Sequence, residues 1–163
     1  MSKANDLGIS RWISKLKPDF RFSEGNIIVP SKTMRYKQDP ITKRVVKIYP
    51  PKSVNFEKSL NTWLKEETKG SSEFPTDREV FVLIVYNFVS KKEYNKCDLD
   101  NRTKTILDGM QGVIFQDDSQ VRTLLVAKKN DKKLANSYGV AVSILKNDDD
   151  RKFLGEFSKI LYK

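Results

Sequence analysis

The chain has 163 residues, with 31 Lys and Arg against 21 Asp and Glu and a formal net charge of +10. It contains no histidine and one cysteine, which excludes a zinc site built from His and Cys ligands and an internal disulfide framework. No apolar run approaches the roughly 20 residues that cross a membrane, so we expect a soluble cytoplasmic protein of one domain whose partner is a polyanion such as nucleic acid.

Residues 1–25 are predicted to form an N-terminal extension. The apolar residues between positions 8 and 16 recur at helical spacing, which predicts a short amphipathic helix. Its apolar face consists of Ile9, Trp12, Ile13 and Leu16. The run Asn26–Val29 then predicts the first strand, which Pro30 ends, and the partly alternating run Lys43–Tyr49 predicts an exposed edge strand.

A second helix and a buried strand are predicted next. Pro50–Pro51 breaks the chain, and Ser53 is expected to cap a helix that runs to about Thr68. The apolar stripe of this helix consists of Phe56, Leu60, Trp63 and Leu64. After a loop over residues 69–75, the nearly all-apolar run Glu79–Val89 predicts a central strand that is buried on both faces.

An acidic cluster follows the central strand. Three lysines, Lys91, Lys92 and Lys96, lead to Asp98 and Asp100. Asn101 can cap a helix from about Arg102 to Gln111, which Gly112 is expected to end. On that helix Asp100, Lys104 and Asp108 share one face because they stand four residues apart.

A second acidic pair, Asp117 and Asp118, comes after the apolar residues Val113–Phe115, which carry the chain back toward the core. Acids from two segments could therefore converge. Clustered carboxylates raise one another's pKa unless a cation lies between them, and oxygen ligands favour Mg²⁺ or Mn²⁺. Lys104 could steer a phosphate or stabilise developing negative charge. Each acidic piece alone also has a structural interpretation, as a helix cap or as a turn.

The whole combination resembles the signature of the RusA family of Holliday-junction resolvases. The matching residues are Asp98, Leu99, Asp100, Asn101, Lys104, Asp108, Gly112, and Asp117-Asp118-Ser119-Gln120-Val121. The resemblance implies a homodimeric Mg²⁺-dependent endonuclease, with Mn²⁺ as a substitute ion, that binds branched DNA and cuts four-way junctions by paired symmetric nicks. It also implies 5′-phosphate and 3′-hydroxyl ends, a role in DNA recombination and repair, and a bacterial or phage-infected host cell, with no membrane and no small-molecule cofactor.

The resemblance also implies a role for individual residues. Asp98, Asp100 and Asp118 are expected to bind the metal, and Lys104 is expected to be catalytic. Asn101, Asp108 and Asp117 are expected to support them. Two departures stand out, since Gly109 occupies a position where alanine is usual and the segment before Ile27 is longer than the family needs.

DNA contacts are expected from the cations that follow the first strand and from those that precede the acidic cluster. They are Lys32, Arg35, Lys37, Lys43, Arg44, Lys47, Lys91, Lys92 and Lys96. For any one of them, an ordinary solvated surface charge is the alternative interpretation.

Two further strands are predicted at Val121–Ala127 and Tyr138–Leu145, joined by a charged hairpin that starts at Lys128. Asp148–Asp150 is expected to cap a C-terminal helix. We therefore predict an α/β (α+β) domain over residues 26–163, with a mixed or antiparallel sheet of four or five strands, two main helices, and a terminal helix at each end. The alternatives in function are a metal nuclease for flaps, forks or other branched DNA, and a non-catalytic junction-binding module.

Overall fold

The computed structural model describes residues 17–145. In chain order, its strands are β1 (Phe20–Gly25), β2 (Arg35–Gln38), β3 (Val45–Ile48), β4 (Val80–Asn87), β5 (Val121–Lys129) and β6 (Ser137–Ile144). Its α-helices are α1 (Pro51–Glu67), α2 (Lys91–Lys96) and α3 (Leu99–Met110), and a 3₁₀ turn spans Asp118–Gln120. No helix in this range is long and apolar enough to cross a bilayer.

Four strands form the main sheet in the order β1-β6-β4-β5. β4 pairs in parallel with β5 and antiparallel with β6, and β6 pairs antiparallel with β1. The predicted mixed sheet of four or five strands is therefore confirmed, with four. All eight residues of β4 are buried, as expected for a central strand of continuous apolar sequence.

The core lies mainly between this sheet and the two long helices. Alternate residues of β4 from Val80 to Tyr86 pack in one cluster with side chains of α1 and α3, which are Leu60, Leu64, Ile106 and Met110. The intervening residues, Phe81, Leu83 and Val85, pack with Ala141 on the opposite face of the sheet. The sheet and the two main helices thus have the predicted layered arrangement.

Gly109 allows α1 and α3 to approach closely. A Cβ atom at this position would lie 2.8 Å from Leu60 Cδ2, inside normal contact distance. The Asn61 amide also donates to the carbonyl oxygens of Gly109 (3.2 Å) and Gln111 (3.1 Å). This packing gives a physical reason for glycine at position 109, and the Asn61 contacts hold the C-terminal end of α3.

A separate hairpin, β2–β3, stands apart from the main sheet. Every residue of both strands is exposed. The predicted edge strand at Lys43–Tyr49 corresponds to β3, and its exposure is confirmed.

The predicted first strand was wrong in position. The strand runs over Phe20–Gly25, inside the predicted N-terminal extension, and Asn26 breaks it with a φ of 60°. Val29 and Pro30 instead accept hydrogen bonds from α3, from Arg102 Nη1 and from Thr105 Oγ1. Positions 26–29 therefore do not form a strand. Hydrogen bonds from side chains of α3 hold this part of the chain instead.

The predicted N-caps of the two main helices were also wrong. α1 begins at Pro51, and the hydroxyl of Ser53 donates to Pro50 O rather than accepting a backbone N–H. α3 begins at Leu99 with Asp98 at the N-cap position, which places Asn101 inside the first turn. Gly112, with a φ of 74°, follows the end of α3 as predicted. The two predicted terminal helices lie outside the described residues.

Candidate active site

Two carboxylates lie side by side where α3 begins. Asp98 occupies the N-cap position and Asp100 the first turn, and both side chains are exposed. Hydrogen bonding with the Asp100 side chain is the main cause that lowers the pKa of Asp98. The second is the amide of Asn101, whose Nδ2 donates to Asp98 Oδ2 at 2.6 Å. Asp98 therefore stays ionised well below neutral pH, which is the form that binds a cation.

Lys128 holds the backbone turn that immediately precedes Asp98. Its Nζ donates to Tyr94 O (2.9 Å) and Cys97 O (3.2 Å) and lies 4.7 Å from the centre of the Tyr94 ring. The sequence analysis started a charged hairpin at this lysine. Lys128 instead belongs to β5, which runs to Lys129.

Arg102 was missed by the sequence reasoning. Its guanidinium lies 5.8 Å from the Phe88 ring, and its Nη1 donates to Val29 O. This residue therefore ties the segment before β2 to the first turn of α3. Nothing in the spacing of the acidic motif distinguishes Arg102 from a surface arginine.

Four alternating charges connect the outer face of α3 to Lys32 and α1. Lys104 Nζ lies 3.3 Å from Asp108 Oδ1, and the Lys104 side chain is 51% exposed. The other oxygen of Asp108 binds Lys32 Nζ, which also lies 2.8 Å from Glu57 Oε1. Asp108 thus links an exposed lysine to a buried one, and it holds the ammonium group of Lys104 one turn beyond Asp100.

Lys32 does not fit its predicted role as a phosphate contact. Its side chain is only 10% exposed, and its ammonium is paired with two carboxylates. Burial alone would lower the pKa of Lys32, but the hydrogen bonds to Asp108 and Glu57 outweigh burial and raise it. A charge that is held in this way supports the fold, so we leave Lys32 out of the DNA-binding surface.

Asp117 and Asp118 lie at the opposite end of α3. Gln111, just past the last turn, donates from Nε2 to Asp117 Oδ2 at 3.3 Å. Asp117 caps the 3₁₀ turn by accepting from Ser119 N at 2.9 Å, whereas the side chain of Asp118 is exposed and has no hydrogen-bond partner among residues 17–145. Since α3 has 12 residues, its two ends are about 16 Å apart. Asp118 therefore does not join Asp98 and Asp100 within one chain.

The pair formed by Asp98 and Asp100 fits a hard divalent cation as a set of donors. Mg²⁺ is commonly bound through one or two carboxylates and keeps its other positions for water and substrate phosphates. Within residues 17–145, no group of three or more acidic, His or Cys side chains is close enough to hold a metal ion.

The remaining predicted DNA contacts form two exposed groups. The α2 lysines, Lys91, Lys92 and Lys96, stand immediately before Asp98, with Lys91 Nζ 4.9 Å from the Tyr94 ring. The hairpin cations are Arg35, Lys37, Lys43, Arg44 and Lys47. The hairpin is attached beside α3, because Lys32 N donates to Asn101 O at 3.2 Å. Both groups therefore flank the helix that carries Asp100 and Lys104.

The chain was compared with known protein families and with curated proteins. A family model described as endodeoxyribonuclease RusA matches residues 30–144, which is more than two thirds of the chain. The matched range contains the acidic pair, Lys104, Asp118 and the hairpin. A search of curated proteins found no significant match.

Proposed function

The chain belongs to the RusA endodeoxyribonuclease family, and from that premise we propose that it is a Mg²⁺-dependent enzyme that resolves four-way DNA junctions by paired symmetric nicks. The observation that carries the proposal is the exposed pair Asp98 and Asp100, which adjoins the α2 lysines at the start of α3. Carboxylates that hold a cation next to lysines that hold phosphates are the two components that phosphodiester hydrolysis requires. The products would carry 5′-phosphate and 3′-hydroxyl ends.

Each residue has a distinct role in this proposal. Asp98 and Asp100 would hold Mg²⁺ or Mn²⁺, and Asn101 would orient the Asp98 carboxylate through its 2.6 Å hydrogen bond. When bound, the ion would activate a water molecule and stabilise negative charge on the phosphate oxygens. Lys104, which Asp108 positions, would donate to a phosphate oxygen as charge builds up on it.

The third carboxylate would come from a second copy of the chain. Asp118 is exposed and lies beyond the opposite end of α3, whose two ends are about 16 Å apart. In a two-fold dimer, if one surface of the first copy contacts a different surface of the second, the reverse contact also forms. Asp118 of each copy could therefore complete the site at Asp98 and Asp100 of the other. A dimer built in this way has two sites for two symmetric cuts.

The proposal is tested by incubating the protein and Mg²⁺ with a four-way junction, a flap, a replication fork and a linear duplex of matched sequence. We expect paired nicks at opposed positions of the junction, with the linear duplex left intact. Preferred cutting of the flap or fork would replace the junction assignment with another branched substrate. Binding without any cutting, in Mg²⁺ or Mn²⁺, would favour a non-catalytic junction-binding module.

An Asp100→Asn variant provides the control for the active site. We expect its cleavage rate to fall by about a thousandfold, because the variant loses one charged ligand of the ion. Junction binding should be retained or become tighter, since the change removes a negative charge close to phosphate. Unchanged cleavage by Asp100→Asn would show that the acidic pair is structural.

A further inference from the structure

The tip of the β2–β3 hairpin exposes a single isoleucine. Ile41 is 88% exposed, the largest value among the large apolar side chains of the described residues. An exposed apolar residue on its own needs no explanation. Ile41 differs because the hairpin holds it in a defined position and surrounds it with positive charge.

The turn that carries Ile41 is fixed by local hydrogen bonds. The carboxylate of Asp39 accepts from the backbone N–H groups of Ile41 (2.9 Å) and Thr42 (2.7 Å). Asp39 N donates to Arg44 O at 2.8 Å, and Lys43 N donates to Asp39 O at 3.0 Å. An isoleucine held in this way loses little conformational entropy when it contacts a partner.

The charge on the hairpin favours a polyanion as that partner. Between residues 35 and 48 there are five cations and one carboxylate, Asp39, whose oxygen is used in the turn. The strand register places Arg35 and Lys37 on the same face as Val46 and Ile48. A face that was built to pack against a second copy of the chain would have fewer charges, because unpaired charges are costly to bury.

The tip of the hairpin is separated from its base, which lies beside the proposed site. Its base is attached to α3 by the backbone hydrogen bond from Lys32 to Asn101 (3.2 Å). β2 extends about 10 Å from Arg35 to Gln38 at the usual rise of a strand, and the turn that carries Ile41 lies beyond it. The tip can therefore reach a part of the DNA distinct from the phosphate that is bound beside Asp98 and Asp100.

We propose that Ile41 is an apolar wedge that inserts between base pairs of the bound DNA, while Lys43 and Arg44 hold the adjacent phosphates. Proteins that kink DNA commonly insert apolar side chains between base steps. The cost of unstacking is smallest where pairing is already weakened, which in a four-way junction is the branch point. This inference rests on the proposed function, because it takes the junction as the substrate.

The experiment uses a junction that carries 2-aminopurine beside the branch point, since the fluorescence of this base rises when it unstacks. Ca²⁺ replaces Mg²⁺ so that the DNA is not cut, and binding is followed in parallel by anisotropy of a label on a distant arm. The variants are Ile41→Ser, Ile41→Met as the conservative change, and Val45→Ser. Val45 is the matched control, because it is 65% exposed and apolar but lies on the strand rather than at the tip.

We expect the native protein and Ile41→Met to raise the fluorescence of the junction on binding. Ile41→Ser should bind about tenfold more weakly and give no rise, because it lacks most of the apolar surface that insertion would bury. Val45→Ser should behave like the native protein. Thermal unfolding and sedimentation of each variant then establish that fold and oligomeric state are unchanged.

Three results would contradict the proposal that Ile41 acts as a wedge. The first is a full fluorescence rise with Ile41→Ser, and the second is an equal loss with Val45→Ser. The third is a change of oligomeric state with Ile41→Ser, which would make a second copy of the chain the partner of the tip. If the native protein cuts the junction without any rise, only the wedge fails; if it neither binds nor cuts, the proposed function fails as well.

Discussion

The two ends of α3 carry similar acidic pairs in different surroundings. At the N-terminal end, Asp98 and Asp100 lie side by side in solvent, and the amide of Asn101 donates to Asp98. At the C-terminal end, Asp117 caps a turn and accepts from Gln111, while Asp118 stays exposed. One end therefore places two acids side by side at an exposed helix start, whereas the other uses one of its acids to build a turn.

This difference separates acids that serve the fold from acids that serve a ligand. Adjacent ionised carboxylates repel, so a pair without a cation of its own reduces stability. Such local conflicts are typical of functional sites. In the proposed function, Asp98, Asp100 and Asp118 bind the ion and Asp117 serves the structure, and two copies of the chain would bring the first three together.

The largest effect is expected from mixing two inactive variants. Asp100→Asn and Asp118→Asn should each lose about a thousandfold in cleavage as homodimers. If each site takes Asp118 from the other copy, a mixed dimer has one site that lacks both Asp100 and Asp118 and one site that is intact. Unfolding and refolding the two variants together should therefore restore nicking of one strand, at about a quarter of the native number of sites.

The result depends on which chain supplies Asp118. A site that forms within one chain leaves both sites of a mixed dimer damaged, so the mixture would be as inactive as its components. The control is a mixture of Asp98→Asn with Asp100→Asn, which are ligands from the same end of α3. That mixture should stay inactive in either case, and any activity in it would show that the two acids do not act together.

A second prediction separates the two lysines that share Asp108. Lys32→Met should lower the free energy of unfolding by about 2 kcal/mol, because it leaves Glu57 and Asp108 close together without their buried cation. Lys104→Met should change stability by no more than about 0.5 kcal/mol, since its side chain is half exposed. Lys104→Met should instead lower the cleavage rate by about a hundredfold. Urea unfolding and junction cleavage of both variants measure the two effects.

Each lysine serves as the control for the other. If Lys32→Met kept native stability but weakened DNA binding and its dependence on salt, Lys32 would be the phosphate contact that the sequence suggested. If Lys104→Met cut at the native rate, the ion pair with Asp108 would be a structural contact of the helix face.

The sequence predicted those elements whose patterns are local. The apolar run at Val80–Asn87 identified the central strand, because a strand buried on both faces consists of apolar residues. Gly112 marked the end of α3, because a positive φ favours glycine. The sequence of β1 has no such pattern. Its sequence, FRFSEG, becomes a strand by pairing with β6, which is distant along the chain.

The position of Asp118 also depended on the path of the chain. Gln120 Nε2 donates to Thr76 O and Arg78 O, so the turn that contains Asp118 lies where β4 begins. Lys128 reaches the backbone before Asp98, where β4 and β5 end. Motif spacing gives the separation of these acids along the chain, but only the parallel pairing of β4 and β5 shows that they lie at opposite ends.

The smallest effect is expected at Asp117, the acid that caps the 3₁₀ turn. Asp117→Ala should lower the melting temperature by a few degrees at neutral pH, because it removes the acceptor that caps the 3₁₀ turn. Asp118→Ala should leave it unchanged, since that side chain has no partner in the described fold. Hydrogen bonding to the side chain and then the N–H of Ser119 lowers the pKa of Asp117.

A lowered pKa in the folded state gives the expected dependence on pH. The contribution of the Asp117 carboxylate should be complete above its ordinary pKa of 3.8 and should be lost as the pH falls through the lower folded value. The difference in melting temperature between the native protein and Asp117→Ala should therefore shrink in acid. Asp117→Asn is the matched control, because an amide can still cap the turn but does not titrate in this range. An equal loss of stability in Asp117→Ala and Asp118→Ala would remove the distinction between the two acids and, with it, the reason to assign Asp118 to the ion.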